Sequence, residues 1–206
     1  MPGDHQATFD LKSAFHHVLI HPDHGQYFGF SIPSLDGHDR FFVFRVLPFG
    51  LASAVQLLAR MTNPISIFLA GEGIRISIYI DDGWILTYLK ALAAAHLLRT
   101  FDVLAQAGFI VSLSKSDTPS DVSQKKRHLG FIVDSVSMTV SAPASKIESV
   151  QALIHQTLAS PRYSARQLVK LTGKVVSLLL AFGPVVLVMS RLAQAELAVF
   201  ATSHSR

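Results

Sequence analysis

Hydrophobic and polar positions fall into two regimes along the chain. Up to residue 142, short apolar runs alternate with turn residues. Residues 7–11 read as a buried strand carrying Asp10. Residues 26–32 and 40–46 are aromatic-rich runs around Asp36-Gly37 and predict a hairpin with a longer loop. Residues 51–69 predict a helix that Pro64 kinks or breaks. Residues 74–80 and 84–88 flank Asp81-Asp82-Gly83, the signal of a tight hairpin. Residues 90–107 are Ala/Leu-rich and helical, with Gly108 as C-cap. Residues 129–134 and 137–141 predict a second small hairpin. From Pro143 onward the apolar spacing is helical. Ser145 to Glu148 and Ser164 to Gln167 both read as capping boxes, and a third helix follows Pro184. The pattern therefore divides into a mixed α+β region, residues 1–142, and an all-helical region, residues 143–206.

Composition narrows the class. Half of the 206 residues are hydrophobic and 16% are charged, which suits a folded core and excludes disorder as the main state. The absence of cysteine excludes a disulfide scaffold, Cys-ligated metal sites and a cysteine nucleophile. The uncharged stretch between Lys174 and Arg191 is shorter than the roughly 20 residues of a spanning helix, and Gly183-Pro184 interrupts it. It predicts two buried helices meeting at a turn, and no membrane partner. The polar N-terminus carries no secretory signal, so an intracellular location is expected, cytoplasmic or nuclear.

Charge is uneven. Residues 1–114 hold seven Lys/Arg against nine Asp/Glu, and residues 115–206 hold eleven against five. The basic part suits a polyanionic partner or a solvated surface. Arg162, Arg166, Lys170 and Lys174 are spaced four apart, which on a helix makes a basic stripe opposite Leu168, Leu171 and Val175. His16, His17, His21 and His24 do not match a metal site, because Pro22 interrupts them and no HExxH pattern is present.

Three aspartates stand in unusual places: Asp10 ends an apolar strand, and Asp81 and Asp82 lie between two apolar arms. Carboxylates held together repel one another unless a cation offsets the charge. Mg²⁺ prefers carboxylates plus substrate phosphates, and the matching chemistry is two-metal phosphoryl transfer. Taken alone, Asp82-Gly83 is a hairpin turn before it is a site.

The segment from Phe9 to Phe15, FDLKSAF, resembles motif A of reverse transcriptases. Leu47 to Ala54, LPFGLASA, resembles motif B, and Tyr79-Ile80-Asp81-Asp82 is similar to motif C. Ala107-Gly108-Phe109 with Lys115 resembles motif D, and His128 to Phe131, HLGF, resembles motif E. The region from Ala165 to Lys174 and from Ala181 to Pro184 is similar to the segment after the palm in DIRS-like retrotransposons, which also encode a tyrosine recombinase. The resemblance implies a palm (an antiparallel sheet packed on helices) carrying motifs A to E, then a small thumb-like or connection-like helical region. It implies an RNA-directed DNA polymerase, with Asp10, Asp81 and Asp82 and the Leu11 carbonyl holding two Mg²⁺, or Mn²⁺ in their place. By the same resemblance Lys115 assists the leaving pyrophosphate, and Phe15 gates the sugar. Phe49 and Gly50 line the nucleotide pocket, and Leu129 and Gly130 position the primer. Arg162, Arg166, Lys170 and Lys174 face the backbone of an RNA or DNA template–primer duplex. The implied partners are that duplex, dNTPs and the rest of a polyprotein: fingers, RNase H and recombinase. Three positions depart from the pattern: Val55 stands where proline is usual, Leu58 where an aromatic is common, and Gly83 where a bulky apolar residue is usual. The fingers that precede motif A and a complete RNase H are expected to be missing. The alternative is a catalytically inactive retroelement remnant that only binds nucleic acid.

Overall fold

The computed structural model describes residues 1–160 and 162–203. They form two compact units, Met1–Lys126 and Arg127–Arg206. The expected boundary lay at Pro143. The observed one falls earlier, so the strands around residues 131–141 group with the helices.

In the first unit, β1 (His5–Asp10), β5 (Asp82–Thr87) and β4 (Arg75–Tyr79) form an antiparallel sheet in the order β1-β5-β4. Strand alternation places Ala7, Phe9 and Ile85 on one face, all nearly inaccessible to solvent. Helices α1 (Ala54–Gly71) and α2 (Lys90–Gln106) supply the rest of that core. Leu58, Thr62, Ile65 and Leu69 recur every three or four residues on α1, and Ala93, Leu97, Thr100 and Leu104 do so on α2. Pro64 does not end α1. It lies on the exposed side, where water can take the carbonyl that the missing N–H leaves unpaired. Gly108, at φ +85°, closes α2 in the left-handed conformation that its lack of Cβ permits.

The opposite sheet face carries Gln6, Thr8 and Asp10, and the chain from residue 111 to 124 runs along the free edge of β1, bonding the backbone of the same three residues. Gln6 is fully buried. Its N–H donates to the Ser123 carbonyl at 2.7 Å, its Nε2 to the Gln124 carbonyl at 2.8 Å, and its Oε1 accepts from Trp84 Nε1 at 3.1 Å. The aromatic-rich runs form the expected hairpin, β2 (Gly29–Pro33) with β3 (Asp39–Val43), and every one of its strand residues is exposed.

In the second unit, β7 (Phe131–Asp134) and β8 (Thr139–Ser141) pair as expected. A third strand, β6 (Lys125–His128), straddles the boundary and adds to them. Helices α3 (Ala144–Ala159), α4 (Ala165–Val176), α5 (Leu179–Phe182) and α6 (Val185–Ser203) follow, with Val150, Leu178 and Val186 at their core. The box at Ser164 and Gln167 forms in both directions. The one expected at Ser145 does not, because α3 starts directly after Pro143 and Ser145 is already inside it. The pair of helices around Gly183-Pro184 is present but not buried: Leu192 is 86% and Met189 77% exposed. Among the described residues no helix is long and apolar enough to cross a membrane.

Candidate active site

Asp10 ends β1 directly opposite Asp82, the first residue of β5. The hairpin turn is not Asp82-Gly83. Tyr79 pairs with Asp82, so Ile80 and Asp81 make the turn and the Asp-Gly pair lies in the strand. Ile80 adopts φ +60°, a conformation that costs a β-branched residue about 1 kcal/mol or more. Gly83 has a different reason for its identity. A Cβ there would lie 2.0 Å from Cζ of Phe9, whose ring covers the glycine across the strand pair. The space that a side chain at position 83 would need is filled by that ring.

Asp81 is tied to β1 by its carbonyl, which accepts from the Leu11 N–H at 2.8 Å. The three aspartates thus come from the end of β1, the start of β5 and the turn before it, brought together by register. Burial raises the Asp82 pKa above the ordinary carboxylate range. Asp81 and then Asp10 raise it further by like charge, while Lys115 opposes them. Lys115 Nζ stands 3.5 Å from Asp10 Oδ1, and its side chain is largely exposed, so the pair adds little stability.

Residues 111–117 hold that lysine in place, a role the sequence did not disclose. The Asp10 N–H donates to Ser116 Oγ at 3.0 Å, and the Asp10 carbonyl accepts from the Ser112 N–H at 2.8 Å. Asp117 Oδ2 accepts from the Thr8 N–H at 2.6 Å and from Thr8 Oγ1 at 3.0 Å. Its other oxygen accepts from Lys126 Nζ at 2.8 Å. The only local clue is a run of small polar residues after Gly108. The pairing itself is tertiary.

As a donor set, three carboxylates and a backbone carbonyl fit hard divalent cations. The mutual repulsion that raises Asp82 is what such a cation would offset. Among the described residues, however, no three His, Asp or Glu side chains are arranged to enclose a metal ion.

Phe15 is half-buried beside the core, and its ring meets that of Phe49 edge-on, centroids 5.4 Å apart. His16 packs on the same Phe49 ring. Gly50 follows at φ +89°, a backbone conformation that favours glycine. His17 is structural: its Nε2 accepts from the Ile110 N–H at 3.1 Å.

In the second unit, Leu129 (φ +47°) and Gly130 (φ +77°) form the two-residue turn between β6 and β7. Lys146 Nζ sits 3.9 Å from the Phe131 ring centroid beside it. Arg166, Lys170 and Lys174 lie on α4. Arg162 does not, since it precedes the Ser164 cap, so the expected stripe is shorter by one residue. Lys174 is half-buried and donates to Ser149 Oγ, whereas Arg166 and Lys170 are exposed.

A family profile for reverse transcriptase (RNA-dependent DNA polymerase) matches residues 3–133. A protein of Cassava vein mosaic virus described as an enzymatic polyprotein is 28% identical over 117 residues, 54% of this chain and 16% of that protein. The foamy viral protease–reverse transcriptase bound to an RNA/DNA hybrid superposes with a TM-score of 0.63 at 23% identity, over 83% of this chain and 21% of that one. A form of it bound to double-stranded DNA gives 0.65 at 23% identity, over 85% and 27%. These likenesses show a shared fold. The chain spans 16% of the viral polyprotein's length.

Proposed function

Starting from a chain that belongs to the reverse transcriptase family, we propose that it is the RNA-directed DNA polymerase core of a DIRS-like retrotransposon, extending a primer on an RNA or DNA template with dNTPs. The primer 3′-oxygen would bond to the α-phosphorus of the dNTP, the hydroxyl would lose its proton, and pyrophosphate would leave. Two Mg²⁺, or Mn²⁺ in their place, would acidify that hydroxyl and offset the triphosphate charge when bound. Asp10, Asp81, Asp82 and the Leu11 carbonyl are the residues that would hold them. The observation that carries this reading is the register: Asp10 stands opposite Asp82, with Asp81 hydrogen-bonded to the residue after Asp10.

Lys115, beside Asp10, would give its proton to the departing pyrophosphate. The Phe15–Phe49 pair would line the sugar side of the nucleotide pocket and exclude a 2′-hydroxyl, with Gly50 allowing close backbone approach. Leu129 and Gly130 would position the primer strand. Arg162, Arg166, Lys170 and Lys174 would grip the duplex through its phosphates, without reading sequence. Fingers, RNase H and recombinase would come from the rest of a polyprotein. A second reading, a remnant that binds template–primer without extending it, rests on the exposed Arg166 and Lys170 of α4.

Primer extension on poly-rA/oligo-dT with Mg²⁺ or Mn²⁺ separates the two. Extension that Asp81→Asn abolishes supports the polymerase. Salt-sensitive duplex binding without extension supports the remnant, and neither result sinks both.

A further inference from the structure

Helix α6 is amphipathic twice over. Val186, Ser190, Ala193 and Leu197 turn inward, and Val186 and Ser190 are buried. A second apolar stripe faces out. Val185, Leu192 and Val199 stand seven residues apart and are 55%, 86% and 67% exposed. Val188, at 65%, and the exposed Ala195 fall three residues after the first two. This three-four alternation is the heptad rule, with Val185, Leu192 and Val199 at the first core position and Val188 and Ala195 at the second. A stripe this continuous is unusual on a solvated helix, whose outward positions are normally polar.

The flanking charges say what would cover it. Arg191 and Glu196 occupy the two edge positions beside the seam, five residues apart. That is the offset at which opposite charges meet across two parallel helices of the same sequence, so each copy would offer Arg191 to its partner's Glu196 twice around a two-fold axis. In an antiparallel pair, edge positions of the same kind face each other, and Arg191 would approach its own counterpart. Within the chain, the Tyr163 hydroxyl donates to one oxygen of Glu196.

We propose that the exposed face of α6 is a homodimer seam, covered by the same face of a second copy of this chain in parallel orientation.

The chain has no cysteine, which allows a direct test. In a parallel seam Leu192 lies beside its own symmetry mate, within disulfide reach. The whole chain carrying Leu192→Cys is therefore expected to form a covalent dimer on mild oxidation, whereas Leu158→Cys, exposed on α3, is not. By sedimentation equilibrium without nucleic acid, Leu192→Asp should weaken dimerisation by about tenfold or more, and Arg191→Glu by less. The double variant Arg191→Glu/Glu196→Arg should recover most of that loss. Circular dichroism checks that the variants stay folded, which the exposure of Leu192 favours. A monomer at about 100 μM would overturn the proposal, as would a dimer that neither cross-links through Leu192→Cys nor responds to Arg191→Glu. Binding of a different polypeptide to this face, with no self-association, would overturn it equally.

Discussion

The β1–β5–β4 sheet and the β2–β3 hairpin are both built from short antiparallel strands, and both carry phenylalanine. Their fates differ. Phe9 of β1 is 2% exposed, and its ring lies edge-on to Phe101 and over Gly83. Phe41 of β3 is 82% exposed, and its neighbours Phe30 and Phe42 stack on each other rather than on a core. Hydrophobicity per residue does not separate the two. What separates them is cover, since α1 and α2 close one sheet face and residues 111–124 bond along the free edge of β1, while nothing in the first unit closes the hairpin. The aspartates sit on the covered sheet, where β1 and β5 are each bonded along both edges, and this is the place for groups that must keep a fixed register.

The sharpest way to break the contrast is to fill Gly83. A leucine there would force its Cβ into the Phe9 ring, and strand and core leave no room for either to move. Gly83→Leu should cost about 3 kcal/mol or more by urea unfolding, at the upper end for overpacking. Phe9→Ala alone should cost about 3–5 kcal/mol, as core aromatic truncations do. The double variant should be more stable than the sum of the two predicts, because each change makes space for the other. Additive losses would mean that the two residues do not share that volume.

Next in size is Gln6. Replacing it with leucine keeps the bulk but removes, at a fully buried position, the bonds to the Trp84 indole N–H and the Gln124 carbonyl. A loss of about 2–3 kcal/mol is expected, of the kind that follows from removing buried hydrogen bonds. An unchanged unfolding midpoint would show that the side-chain bonds of Gln6 contribute nothing to stability.

How much of this was legible in the sequence follows from the same contrast. The two helices beside the aspartates and the pairing of residues 29–43 were readable, because local period encodes them; that Asp10 lies beside Asp82 was implied by the resemblance, since spacing alone cannot join them. The turn was misplaced because Asp-Gly is the favoured hairpin pair, and the sequence gives no sign that Gly83 is small to make room for Phe9. Placing Ile80 at positive φ goes against local preference, so only the β1–β5 register could reveal it. The support from Ser112, Ser116 and Asp117 was invisible for a related reason: it depends on which strand they come to lie beside. The exposure of α6 was missed because an apolar helix reads as buried, whichever of its faces finds a partner.

A smaller effect comes from charge on the same sheet. Asp82 titrates above the ordinary carboxylate range, through burial first and then through Asp81 and Asp10. A group whose folded-state pKa is raised favours folding when protonated. That contribution is complete below the unfolded value of about 3.9 and is lost as pH rises through the raised one. Asp82→Asn removes the loss. The variant should therefore be more stable than the parent at pH 7, with the difference closing as pH falls toward 3, in metal-free buffer. Since Asp82 is only partly buried, water screens the repulsion and the gain should be smaller than either packing effect. A variant less stable at pH 7 than its parent would mean that the carboxylate accepts a bond worth more than the repulsion.

The smallest expected effect is on the hairpin. Phe41→Ser removes a whole aromatic ring, yet that ring is mostly in water already and covers no core residue. The change should move the unfolding free energy by less than about 0.5 kcal/mol, as surface substitutions do. Set against the cost of Phe9→Ala, this compares one residue type in two strands of one unit. If the two losses come out alike, the hairpin is covered in solution by something that protects its aromatic face. The oligomeric state of Phe41→Ser, measured beside that of Leu192→Asp, then tells whether that cover is a second copy of the chain.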